Sequence, residues 1–177
     1  KAGDKPNIVP RESAMEWYVR SDTITSLEEL KDRVLAALAA GAHACGCSMD
    51  HSWVGFPYAD LVSNEHLGAA YAVNAAVTGR RVVDPATGGH RVVGSTDMGN
   101  ISHLVPTIHP MIACAPTGTA IHTSAFAEHA ASAAADRAVI DGAIAMALTG
   151  VDYWVSERLR QDVSADFHRS NPDRGVL

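Results

Sequence analysis

Nine histidines and three cysteines are the side chains in this sequence best suited to holding a metal ion, and their spacing decides which of them merit that reading. The densest grouping is HACGCSMDH, with His43, Cys45, Cys47 and His51. A single residue between the two cysteines opposes a zinc site, because paired thiolates need a turn of two or more residues to reach a tetrahedral separation. Small residues that finish a helix and pack beneath a sheet explain the stretch better. A second grouping, GSTDMGNISHLVPTIHP, is a glycine-flanked polar loop between apolar runs. Loops of that kind at strand ends present backbone N–H groups to ligands, and Asp97 can orient a histidine or close an Asx turn; both readings stand. The third is His122, which heads HTSAFAEHAASAAADRAVIDGA. Thr123 and Ser124 can cap the helix that follows, which leaves the imidazole at the helix entrance. A metal ligand and a surface histidine are both compatible with that position.

These groups need elements to hold them. SAMEWYVRS alternates, with Met15, Trp17 and Val19 on one side and Glu16, Tyr18 and Arg20 on the other, the period of a half-buried strand with Arg20 facing away from the core. SLEELKDRVLAALAAG repeats apolar residues at Leu27, Leu30, Val34 and Leu38, and the Ser26–Glu29 spacing predicts a capping box at its start. A strand is expected across SMDHSWVGFPYADLV, bent or at an edge because of Pro57. Asn64 predicts the cap of a second helix that ends at Gly79, and VVDPATGGHR reads as a turn-rich connection. The runs RVVG and HPMIACA flank the polar loop, and a helical run from about Thr123 to Tyr153 is expected to close the core. The tail SADFHRSNPDRGVL is polar and expected to be loosely held. The texture changes near residue 60, which suggests a small α+β unit over residues 1–60, an α/β layered part over 61–165 and a tail over 166–177.

Composition narrows the classes. At 177 residues and 47% apolar content, the chain has the makings of a globular protein with a core. A net charge of −6 without a basic stripe argues against nucleic acid as a partner. No uninterrupted apolar run long enough to cross a bilayer and no secretory-type start are visible, so a soluble protein without a membrane partner is expected. Three cysteines, an odd number, favour a reducing, cytoplasmic setting. The first residue is Lys1 and the opening is loop-like, so a fragment or processed piece of a larger protein is expected.

The stretches GSTDMGNISHLVPTIHPMIA and HTSAFAEHAASAAADRAVIDGAIAMALTGVDYW resemble the carboxyl-terminal part of the zinc-dependent aminoacylase and carboxypeptidase superfamily. Within it, the amidohydrolase branch of p-aminobenzoyl-glutamate hydrolase and the aminoacylase-like dipeptidases is the nearest likeness. KPNIVPRESAMEWYVRSDTITSLEELKDRV is similar to the middle of that family's lid domain. The resemblance implies an α/β fold: part of a phosphorylase/hydrolase-like catalytic sheet with helices, preceded by the second half of a ferredoxin-like α+β lid that mediates homodimerisation. It implies zinc or a similar divalent metal, two ions in the complete enzyme, with His122 at the position of the family's last metal ligand. Asn7 and Arg20 match lid positions that contact substrate, and Ser95, Thr96 and Asp97 match a loop near it. An amide and a guanidinium suit a carboxylate.

The remaining ligands and the general base are expected in an amino-terminal part of the same protein that lies outside this sequence. Glu28 and Glu29 are adjacent acids, but a first-turn position beside the helix dipole explains them. The resemblance therefore implies a metal-dependent amidohydrolase or metallopeptidase acting on an N-acyl amino acid, an aminobenzoyl-glutamate-like compound or a dipeptide. The isolated chain is expected to be inactive. The alternative is a non-catalytic self-association or regulatory module built on the same fold.

Overall fold

A computed structural model describes residues 2–83 and 95–171. The chain divides into two units, Lys1–Pro57 and Tyr58–Leu177. In the first, helix α1 runs from Ile24 to Ala44. Its cap is one turn-start earlier than the Ser26–Glu29 spacing suggests. Thr23 Oγ1 accepts the Ser26 N–H at 3.2 Å, and the Thr23 N–H donates to Ser26 Oγ at 3.3 Å, so Ser26 fills the third position of the box instead of the first. Thr23 is already extended (φ −134°, ψ 157°), the backbone an N-cap requires. Leu27, Leu30, Val34 and Leu38 form the half-buried stripe of α1. Lys31 Nζ lies 5.1 Å from the Trp53 ring centroid, a cation–π contact within the unit. The helix ends through Cys45 and Gly46 (φ 68°), and Cys45 and Cys47 are exposed rather than packed beneath a sheet.

The two segments read as strands, over 13–21 and 48–62, have no β-ladder among the described residues; an isolated antiparallel bridge joins Ala2 and Ser13. Met15 (70% exposed) and Trp17 (62%) are therefore as open as the polar residues they alternate with. Alternation gives a strand one face to bury, but burial needs a partner, and the described residues provide none.

The second unit is built on helices α2 (Glu65–Val77), α3 (Met98–Ser102), α4 (Ser124–Ala130), α5 (Ala133–Val155) and α6 (Glu157–Ser170). Asn64 caps α2 as its type and position predict, with Oδ1 accepting the Leu67 N–H at 3.1 Å, and the helix ends just before Gly79 at φ 80°. The expected run from Thr123 to Tyr153 is interrupted. Ser132 is extended and its Oγ accepts the Ala135 N–H at 3.2 Å, which starts α5 as a new helix. The connection predicted over VVDPATGGHR and the run RVVG fall mostly or wholly outside the described residues.

Packing between α2 and α5 makes the core, where Tyr71 and Ala75 meet Ala145, with Ile108 of the extended segment alongside. Ala135, Ala138, Ala145 and Thr149 form a buried stripe on α5, and their small size explains the alanine-rich sequence: short side chains let the partner helix approach. The opposite side of α5 is open, with Val139 70%, Met146 56% and Trp154 83% exposed. By length and composition alone α5 could cross a membrane, although the sequence run is broken by Asp136, Arg137, Asp141 and Asp152.

Polar groups fix the arrangement. Asn74 Nδ2 donates to Asp152 Oδ2 at 2.7 Å and to Thr149 Oγ1 at 3.3 Å, tying α2 to α5. Helix α6 makes residues 164–170 ordered structure where a loose tail was expected. Val163, Asp166 and Phe167 are buried, and buried Asp166 accepts the Glu65 N–H at 2.8 Å and an Arg169 N–H at 2.6 Å. A carboxylate at the start of α2 also complements that helix's dipole. Charged residues made the segment look solvated, yet one of them carries the contact that docks it.

Candidate functional site

His122 has φ 62°, the left-handed region, and is the non-glycine residue with positive φ among those described. For an L-residue with a Cβ this costs about 1–2 kcal/mol, so the surrounding turn must hold it there. Thr123 does so from the next position. Its Oγ1 donates to the Ala120 carbonyl at 2.7 Å and accepts the Phe126 N–H at 3.2 Å, capping α4 and closing the turn around His122. Because Thr123 takes the capping role, the imidazole is left exposed at the helix entrance, as the sequence suggests. Among the described residues no group of three His, Cys, Asp or Glu side chains could hold a metal ion. An exposed imidazole free of capping duty has the donor chemistry for one position of a zinc-type site.

Ser95, Thr96 and Asp97 lead into α3. Asp97 stands at the N-cap position, but its side chain makes no capping bond; Thr96 Oγ1 instead accepts the Met98 N–H at 3.3 Å. The turn is thus closed by the threonine, and Ser95 and Asp97 are exposed. No hydrogen bond or ion pair among the described residues joins His122 to this loop.

Helix α3 anchors the loop from below, through residues whose roles no spacing pattern announced. Ala59 N–H donates to Asn100 Oδ1 at 3.1 Å, Val62 N–H to Ser102 Oγ at 3.0 Å, and His103 Nε2 lies 3.0 Å from the Asp60 carbonyl oxygen. Gly99 is buried against that same segment, and a Cβ built there would fall 1.9 Å from the Ala59 carbonyl oxygen. The glycine was visible in the sequence; its partner, 40 residues away, was not.

Asn7 and Arg20 belong to the first unit. Asn7 is exposed in a turn closed by the Ile8 N–H to the Lys5 carbonyl at 3.3 Å. The Arg20 guanidinium carbon is 5.6 Å from the Tyr18 ring centroid, and the side chain is exposed, as are Met15 and Trp17 on the other side of the alternation. Stacking on the ring restricts the guanidinium while leaving its N–H edge open to an anion.

Comparison with known proteins finds likeness along most of the chain. It is 32% identical over 165 residues to a Mus musculus protein named Xaa-Arg dipeptidase, and 30% identical over 165 residues to the Homo sapiens protein of the same name. Each match takes in 93% of this chain and 38% of the relative, so the chain spans well under half the length of these proteins. No family model matches the chain. The likeness is thus to proteins named as dipeptidases.

Proposed function

We propose that this chain is part of a metal-dependent dipeptidase that cleaves the amide bond of a dipeptide, with His122 contributing one metal ligand. The observation that carries this reading is likeness along 93% of the chain to relatives named Xaa-Arg dipeptidase. By extension, dipeptides with arginine at the second position are the first substrates to test. A bound zinc-type ion, one or two in number, would supply Lewis acidity and an activated water.

The chain's own residues then have distinct tasks. His122, exposed and held by its Thr123-closed turn, would offer a ring nitrogen to the ion. Arg20 offers a fork of N–H donors to the substrate carboxylate, Asn7 an amide, and Ser95, Thr96 and Asp97 a polar wall near the substrate. The same reading includes a lid that pairs its strands into a sheet, joins two subunits and meets a catalytic sheet completed by the amino-terminal part of the protein. The general base also belongs to that part.

The test is made in the whole protein. His122→Ala and His122→Asn are each assayed for metal content and for hydrolysis of an Xaa-Arg dipeptide. Loss of bound metal together with turnover is expected. Unchanged metal stoichiometry and full activity in both variants would remove His122 from the site.

A further inference from the structure

A cleft of about 670 Å³ lies where the extended segment around Cys114 runs past the start of α5, and its lining sets it apart from the rest of an acidic chain. Arg80, Arg137 and His129 line it, and among the described residues no carboxylate does. Arg80 is held rigidly: its Nε donates to Asp141 Oδ2 at 2.9 Å and its Nη1 to the Ala113 carbonyl at 2.7 Å. That leaves Nη2 without a partner among the described residues. Arg137 is exposed and has no ion-pair partner among them. Ala133 and Ala134 also line the cleft, at the first turn of a 23-residue helix where N–H groups lack intrahelical acceptors.

We propose that this cleft is a binding site for a small oxyanion, a phosphoryl or carboxyl group, held between the Arg80 and Arg137 guanidiniums. Arg80 and Asp141 neutralise each other, so the net positive charge comes from Arg137, assisted by the helix start. Arg80 contributes directed donors and Arg137 the charge, a division suited to a planar or tetrahedral oxyanion. All the lining residues belong to the second unit, and neither His122 nor the Ser95–Asp97 loop is among them. The site is therefore independent of the dipeptidase reading.

The test titrates the 177-residue chain with inorganic phosphate and, separately, acetate, following the amide resonances of Ala133 and Ala134. Saturable shifts in either arm are expected, and the stronger arm identifies the preferred group. Arg137→Gln, on an exposed position that spares the fold, should weaken binding by about tenfold or more. Arg158→Gln serves as control, because Arg158 is exposed and pairs with Asp162 away from the cleft. Shifts that never saturate in either arm, or equal weakening by Arg158→Gln, would overturn the site.

Discussion

At the scale of single residues, the strongest commitments are made by side chains that the sequence presents as ordinary. Asp166 is one of several acids in a polar segment, yet it is buried and joins α6 to the first turn of α2. Asp166→Ala should lower the unfolding free energy by about 2–3 kcal/mol, because the Glu65 N–H loses a charged acceptor and Arg169 its partner; urea denaturation of the chain measures it. Gly99 is a second such residue. Gly99→Ala places a methyl group against the Ala59 carbonyl and should cost about 1–3 kcal/mol through displacement of the 59–62 segment. An unchanged urea midpoint would mean that this segment is free to move. His122 differs from both, since its position before a capping threonine was readable, and what the fold adds is its left-handed backbone. His122→Gly should relieve that strain and leave the isolated chain as stable or slightly more so, which thermal unfolding can check.

At the scale of elements, caps decide where helices start, and neighbouring hydroxyls compete for the role. Asn64 had no rival and was readable. Ser26 stood three residues from both Thr23 and Glu29, and Thr23 won because it is extended and bonds Ser26 in both directions. Thr23→Ala should therefore reduce α1 stability by about 1 kcal/mol, whereas Glu29→Gln should leave it nearly unchanged. Helicity by circular dichroism across a denaturant series separates the two. Ser132 likewise breaks an alanine-rich run into α4 and α5; alanine periodicity could not mark the break, since alanine suits every face of a helix. The extended segments are the opposite case. Their alternation was visible, but strand pairing depends on a neighbouring strand, which the described residues do not contain.

At the scale of the whole molecule, large apolar side chains remain open on α5 and on the extended segments, Trp154 at 83% and Phe56 at 92% exposed among them. Under the proposed reading, other parts of a longer protein cover these surfaces. The isolated chain should then bind a hydrophobic dye and self-associate, and co-expression with the rest of the parent protein should abolish both; dye binding that persists in the whole protein would sever the link between these surfaces and a larger fold. The sequence by itself determined the α1 stripe, the Asn64 cap, the stop at Gly79 and the placement of His122 at a helix entrance, because each depends on residues within one or two turns of one another. Only the tertiary structure decided that α6 docks through Asp166, that Gly99 meets Ala59, and that Arg80 and Arg137 line one cleft. Those contacts join residues tens of positions apart, and no local period or cap encodes which distant backbone a buried side chain will meet.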